Sequence, residues 1–94
     1  MNHSDSRYEV TVTPPARRAI TSKLPHDVAV AAVEFITGPL LVNPYRLGKA
    51  LHEPFDGIWS ARLMRYWRVL YEIDKSKQEV SVFDIRHRTH AYRH

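Results

Sequence analysis

The chain has 94 residues, of which 44% are hydrophobic and 26% are charged, and it contains no cysteine. A chain of this length forms one domain, 1–94, with a thin core, and its composition argues against general disorder. The lack of cysteine excludes a disulfide framework, a thiol nucleophile and a cysteine-based metal site.

The distribution of apolar residues along the chain predicts a cytoplasmic protein. The first seven residues contain no apolar signal segment, and we expect residues 1–7 to be a disordered tail. The longest mostly apolar run, 28–36, contains Glu34 and is too short to span a bilayer. We therefore expect no contact with a membrane.

The formal net charge of +4 lies entirely in the second half of the chain. Residues 1–45 carry four basic and four acidic side chains, whereas residues 46–94 carry ten Lys or Arg against six Asp or Glu. A basic half favours a polyanionic partner. Solubility alone is the alternative explanation for a charge of this size.

The first half of the chain is predicted to form one strand and two helices. Residues 8–12 alternate and are rich in β-forming side chains, which predicts a strand. Thr13 and the two prolines after it are typical of a helix start, and this helix should end near Lys23, before Pro25. A second helix is predicted from His26 or Asp27 to Thr37; it is apolar nearly all round, so we expect it to be well buried.

Residues 39–57 contain three prolines and two glycines and predict a long irregular connection. Three alternating segments follow, 58–63, 67–73 and 80–87, and the last two are joined by a polar turn. The sequence therefore predicts an α+β fold of order β-α-α-β-β-β. In this fold two helices pack on one face of a mainly antiparallel four-stranded sheet.

Alternation along the last three strands divides their side chains between two faces. The side chains expected to meet the helices are Trp59, Ala61, Leu63, Trp67, Val69, Tyr71, Ile73, Phe83 and Ile85. Those expected on the open face are Ser60, Arg62, Arg68, Leu70, Glu72, Val80, Val82, Asp84 and Arg86. Three arginines from three strands would then share the uncovered face of the sheet.

Several arginines on one open face fit the chemistry of a phosphodiester, because guanidinium groups donate to phosphate oxygens and stabilise added negative charge. Lys49, His87, His90 and Tyr92 could supply acid, base or base-stacking groups. RNA carries its own nucleophile, the 2′-hydroxyl, and the histidines near the C-terminus lack the supporting acids of a metal site, so we expect no metal or other cofactor. The alternative is a solvated face on which the arginines pair with acidic neighbours.

Four segments of the sequence, taken in order, are similar to the RelE/ParE superfamily of toxins from type II toxin–antitoxin modules, on the RelE side. They are Asn43-Pro44-Tyr45-Arg46-Leu47-Gly48-Lys49-Ala50-Leu51, Gly57-Ile58-Trp59-Ser60-Ala61-Arg62, Tyr66-Trp67-Arg68-Val69-Leu70-Tyr71-Glu72-Ile73-Asp74 and Val82-Phe83-Asp84-Ile85-Arg86-His87-Arg88-Thr89-His90-Ala91-Tyr92. The resemblance covers the chain from about residue 8 to residue 92. Many relatives have a glycine in the turn before the third strand of the family fold, where this chain has Arg65-Tyr66.

The resemblance implies a β-α-α-β-β-β fold and a metal-independent endoribonuclease that enters the ribosomal A site and cuts mRNA. By motif position it implies catalytic roles for Arg62, Arg68, Arg86, Arg88 and Tyr92. Lys49 matches a basic loop position of the family, and the residues that we predict to bind RNA are Arg46, Lys49, Arg65, His87 and His90. The partners implied are mRNA, the ribosome and a RelB-like or other small antitoxin, with operator DNA contacted only through the antitoxin complex.

Two other kinds of protein share parts of this pattern. A ParE-like toxin has the same fold but inhibits DNA gyrase without being an enzyme. A nucleic-acid-binding module without activity would also use a basic sheet face. The row of arginines together with Tyr92 favours the nuclease.

Overall fold

The structure is a computed structural model and is described for residues 7–90, apart from the His90 side chain. The predicted tail at residues 1–7 lies outside this range except for Arg7. The elements in chain order are β1 (Glu9–Val12), α1 (Pro14–Arg18) continued by a π-helical turn (Ala19–Lys23), α2 (His26–Ile36), α3 (Pro39–Val42), α4 (Pro44–Leu47), β2 (Gly48–Ala50), β3 (Trp59–Leu63), β4 (Trp67–Asp74), β5 (Glu79–His87) and a 3-10 turn (Arg88–His90).

The strands form one sheet in the order β1-β5-β4-β3-β2. β1 runs parallel to β5, and the other neighbours are antiparallel. The predicted α+β class and mainly antiparallel sheet are confirmed. The predicted strand count of four is wrong, because Gly48–Ala50 adds a short fifth strand beside β3.

The first helical stretch begins after Thr13 and ends before Pro25, as predicted, although the Thr13 hydroxyl makes no capping hydrogen bond. Thr13 is extended, and its carbonyl accepts the first helical hydrogen bond from the Arg17 N–H at 2.8 Å. The prolines that follow occupy the first turn, where no N–H is needed. The helical stretch ends at Leu24, which is extended because Pro25 follows it.

The core lies between the sheet and the helices. Its largest fully buried side chain is Tyr71 of β4, and its helix side includes Ala16, Val28, Ala32 and Ile36. The remaining members of the core are Leu40, Leu41, Ala61, Leu63, Val69, Val80, Val82 and Ile85. The helices cover one face of the sheet and leave the other face uncovered, as the alternation predicts.

A β-bulge in β5 changes which side chains face the core. Leu70 pairs with Asp84 while Tyr71 pairs with Val82, so Phe83 is an extra residue on β5. An extra residue reverses the in-and-out alternation on one side of the bulge. The predicted placement of Val80 and Val82 on the open face is therefore wrong, since both are fully buried against the helices. The helix-facing placement of Phe83 is wrong for the same reason.

Helix α2 is less buried than its composition predicts. Val28, Ala32 and Ile36 are buried, but Val30 and Val33 are 44% and 42% exposed. A helix in a two-layer fold contacts the sheet along one side only. The expectation of a well-buried helix is therefore wrong for its outer face. Within residues 7–90, no helix has the length and apolar character needed to cross a membrane.

The segment predicted as a long irregular connection is largely ordered, and that prediction is wrong for residues 39–50. Pro39 and Pro44 each begin a single helical turn, and the Asn43 side chain caps the second by accepting a hydrogen bond from the Arg46 N–H at 3.2 Å. These turns deliver the chain to the edge of the sheet, where it forms β2. The basic residues of this segment are thereby fixed relative to the sheet.

Candidate functional site

Three arginines stand side by side on the uncovered face of the sheet. Arg62 of β3 pairs directly with Arg68 of β4, and Arg68 pairs with Arg86 of β5. Because directly paired residues point to the same face, the three side chains start from one line across three strands. This is the arrangement that the alternation predicts, and we refer to it as the arginine row.

The members of the arginine row differ in their partners. The Arg86 Nε donates to the Asp84 carboxylate, and Arg68 donates from Nη1 to the neighbouring Trp67 carbonyl at 3.2 Å. Within the described part of the chain, neither Arg62 nor Arg68 has a carboxylate within ion-pairing distance. The alternative of a row fully paired with acids therefore holds for Arg86 alone.

A cleft of about 560 Å³ lies beside Arg62 and Arg68 on the open face. Its other wall is the ordered segment that runs from α4 through β2. The polar groups that line the cleft are Arg46, Lys49, His52, Ser60, Arg62 and Arg68, together with backbone of the same elements. No carboxylate is among its lining residues, so four basic side chains surround one concave space. We refer to this space as the cationic cleft.

A buried tyrosine holds the outer wall of the cationic cleft in place. The Tyr71 hydroxyl donates a 2.6 Å hydrogen bond to the Pro44 carbonyl at the start of α4. Burial raises the pKa of the Tyr71 hydroxyl, which favours the protonated, donating form. Trp59 stacks on Tyr71 at 6.5 Å and contacts Tyr45 edge-on at 5.5 Å. These rings connect the core to the segment that carries Arg46 and Lys49.

Gly48 allows this segment to approach the sheet. Its backbone is extended, so its conformation does not require glycine. A Cβ at this position would overlap the Tyr71 hydroxyl and lie 3.1 Å from the Ser60 carbonyl oxygen. The absence of a side chain therefore lets β2 pair with β3, which places Lys49 directly opposite Ser60.

Other predicted site residues lie outside the cationic cleft. Arg86 and His87 line a second groove of about 440 Å³, between β5 and the first helical stretch, together with Arg18 and Lys23. Arg65 lies in the β3–β4 turn and Arg88 directly follows β5, and their guanidinium carbons lie over the Tyr66 ring, 5.9 and 5.7 Å from its centre. The cationic cleft thus brings together Arg46, Lys49, Arg62 and Arg68, whereas Arg86, although paired with Arg68, lines the second groove.

Two predicted site residues are not described. Tyr92 lies outside the described residues, and His90 is described only as the last backbone position of the 3-10 turn. Among residues 7–90 no group of three or more Asp, Glu or His side chains is arranged to hold a metal ion.

Sequence reasoning did not identify two polar residues of the cationic cleft as site residues. Ser60 could have been found, because it alternates with Arg62 and so belongs to the open face. His52 gives no such signal, since its position depends on how the segment after β2 folds. The acids Glu72, Asp74 and Glu79 gather at the opposite end of the open face, around the β4–β5 turn.

A cleft of positive charges on the uncovered face of the sheet of an α+β domain has the charge that a site for a phosphate-rich ligand requires. No family model matches the chain. It is 44% identical to Toxin RelE of Mycobacterium tuberculosis over 89 residues, which are 95% of this chain and 90% of that protein. It is 41% identical to Toxin RelG of the same organism over 86 residues, 92% of this chain and 97% of that protein.

Comparison of structures agrees with the comparison of sequences. The fold is similar to a chain of the toxin–antitoxin complex RelBE2 from Mycobacterium tuberculosis, with a TM-score of 0.81 and 39% identity over 87% of this chain and 92% of that one. The chain belongs to the RelE family of toxins. This confirms the resemblance drawn from its four sequence segments.

Proposed function

We propose that this protein is the toxin of a type II toxin–antitoxin module and acts as a ribosome-dependent endoribonuclease on mRNA. The observation that carries the proposal is the cationic cleft, in which Arg46, Lys49, Arg62 and Arg68 surround a space without a carboxylate. The RNA backbone carries one negative charge per nucleotide and is therefore complementary in charge to this cleft, whereas a neutral or cationic substrate is not. Membership of the RelE family supports the same activity.

The reaction we propose is attack by the RNA 2′-hydroxyl on the adjacent phosphorus. The new bond joins the 2′-oxygen to phosphorus, and the bond from phosphorus to the 5′-oxygen of the next nucleotide breaks. The 2′ proton passes to a base and the 5′-oxygen gains a proton, so the products are a 2′,3′-cyclic phosphate and a 5′-hydroxyl. The nucleophile belongs to the substrate, and this scheme needs no metal ion.

The side chains divide these tasks by position. Arg68, at the centre of the arginine row and on the wall of the cationic cleft, stabilises the charge that develops on the phosphate oxygens. Arg86 assists from the neighbouring strand, and Arg62 binds the phosphate from the other side. Arg62 is a poor general base because a guanidinium hardly releases its proton. Arg88 would steady the leaving oxygen, and Tyr92 would stack on a base or accept the proton.

The partner we propose is an antitoxin. The structural relative with 39% identity is part of a complex of toxin and antitoxin. An antitoxin with an acidic segment would neutralise the cationic cleft and so block access of mRNA. Operator DNA would then be contacted by the antitoxin and not by this chain.

Cleavage of a defined mRNA on purified ribosomes tests the activity. The wild-type protein should cut the message only when ribosomes are present, and Arg68→Ala should lower the rate by ~2–4 kcal/mol of transition-state stabilisation, roughly 30- to 1,000-fold. Lys77→Ala is the matched control, because it also removes one positive charge but lies in the exposed β4–β5 turn.

Two outcomes would contradict the proposal. Unchanged turnover in Arg68→Ala would remove this residue from the site. Intact mRNA combined with loss of DNA supercoiling by gyrase would show a ParE-like toxin instead.

A further inference from the structure

Tyr66 is a large aromatic side chain placed on the surface at the tip of a hairpin. It lies in the turn between β3 and β4 and is 48% exposed. The His87 imidazole stacks on its ring, with 6.0 Å between ring centres and 11° between the ring planes. The guanidinium groups of Arg65 and Arg88 lie within 6 Å of the same ring.

The position of this ring is fixed by its surroundings. The Arg88 N–H donates a 2.6 Å hydrogen bond to the Tyr66 carbonyl, which continues the β4–β5 pairing one step beyond Trp67 and His87. Trp67 contacts the His87 imidazole edge-on at 5.3 Å, and the Thr89 N–H donates to its Nδ1 at 3.3 Å. The Arg88 N–H, the Trp67 ring and the Thr89 N–H therefore fix the Tyr66–His87 stack in the absence of a ligand.

The stack lies close to the arginine row. Tyr66 lies in the turn just before β4, two residues before Arg68, and His87 is the residue after Arg86 at the end of β5. Two residues of chain span at most about 7 Å between Cα atoms. A nucleotide whose phosphate contacts the arginine row could place its base over Tyr66.

We propose that Tyr66, backed by His87, is a stacking platform for one nucleobase of the bound RNA. The proposal rests on the proposed function, since it takes the RNA held by the arginine row as the ligand. Aromatic rings and guanidinium planes are the groups on which proteins stack unpaired bases. The platform combines both, because the guanidinium carbons of Arg65 and Arg88 lie over the same ring, 5.9 and 5.7 Å from its centre. An exposed aromatic ring that contributes nothing to the core is explained by this role.

The experiment uses mRNA with 2-aminopurine at one position of a vacant A-site codon on purified ribosomes. The sugars of that codon lack the 2′-hydroxyl, so the message stays intact. Stacking lowers the emission of 2-aminopurine. We expect the wild-type protein to reduce the emission several-fold at one codon position and Tyr66→Phe to do the same. Tyr66→Leu, which keeps bulk but not the π-system, should abolish most of the change.

Met64→Ala is the matched control, because Met64 lies in the same turn and is also 48% exposed. It should leave the emission change intact, and circular dichroism should show that all variants are folded. On cleavable mRNA, Tyr66→Leu should lower kcat/KM about tenfold, the effect of losing one stacked base.

The two proposals fail in different ways. Arg68→Ala should lose cleavage yet keep the emission change, and a Tyr66-dependent change without cleavage by the wild type would still establish the platform. An equal change in wild type and Tyr66→Leu, or no change at any codon position, would overturn it. So would a Tyr66→Leu variant that is impaired only in binding the antitoxin, which would make this ring a protein contact.

Discussion

Tyr71 shows how one side chain serves both the core and the site. It is fully buried in the middle of β4, yet its hydroxyl reaches the Pro44 carbonyl, 27 positions earlier in the chain. A buried hydroxyl without a partner is costly, so the hydrogen bond also fixes where α4 lies. The wall of the cationic cleft is thus anchored to the most buried part of the sheet.

The raised pKa of Tyr71 predicts a loss of stability at alkaline pH. The folded protein holds this proton more tightly than the unfolded chain, whose tyrosines titrate near ~10. The stabilisation is therefore complete below that pH and is lost as the pH rises toward the folded-state pKa. Urea unfolding between pH 8 and pH 11 should show a steeper decline for the wild type than for Tyr71→Phe. Parallel declines would contradict the assignment.

At the scale of elements, β2 is the piece that completes the site. It has three residues and depends on two features, the hydrogen bond of Tyr71 and the absence of a side chain at Gly48. Without its pairing to β3, Lys49 would not lie opposite Ser60 and the cleft would lose one wall. A short edge strand of this kind is a weak element that tertiary contacts maintain.

Gly48→Ala should therefore displace β2. The added Cβ overlaps a hydroxyl and approaches a carbonyl oxygen, so we expect a loss of about 1–3 kcal/mol in the free energy of unfolding, together with weaker mRNA cleavage. Because Tyr71→Phe removes the overlapping hydroxyl, the double variant should lose less stability than the sum of the two single losses. Ala50→Ser, at an exposed position of the same strand, is the control and should change little. Additive effects in the double variant would contradict the overlap.

For the whole molecule, the uncovered face is divided by charge. The cationic cleft occupies one region, and Glu72, Asp74 and Glu79 occupy the end near the β4–β5 turn. An anionic chain is therefore drawn to the cleft and not to the end near the turn, where Lys75 offsets only part of the acidic charge. The formal net charge of +4 understates the local field, because the positive charges are concentrated.

This distribution predicts a strong dependence of RNA binding on salt. If the four charges of the cleft each contact one phosphate, the affinity for single-stranded RNA should fall about 50-fold between 50 and 200 mM salt. Lys49→Ala should make the slope shallower by about 0.7, and Lys77→Ala should leave it unchanged. Fluorescence anisotropy with a labelled oligonucleotide measures both. A slope that is the same for Lys49→Ala and the wild type would show that the RNA does not use the cleft.

The sequence by itself determined four of the five strands, the two main helices and the alignment of the arginines. These follow from local patterns: alternation for the strands, prolines and a threonine at the helix start, and paired registers that place Arg62, Arg68 and Arg86 on one face. The same patterns failed at Phe83, where a bulge reversed the alternation and put Val80 and Val82 into the core.

Only the tertiary structure decided the shape of the site. The segment 39–50 carries few periodic signals, so its order depends on a hydrogen bond to Tyr71 and on space left at Gly48, both contacts between residues far apart in the chain. The Tyr66–His87 stack likewise joins two hairpins. Local sequence patterns determine to which face of the sheet a side chain points. A cleft forms only where segments distant in the chain come into contact, and the interactions that bring them together are distributed over the whole fold.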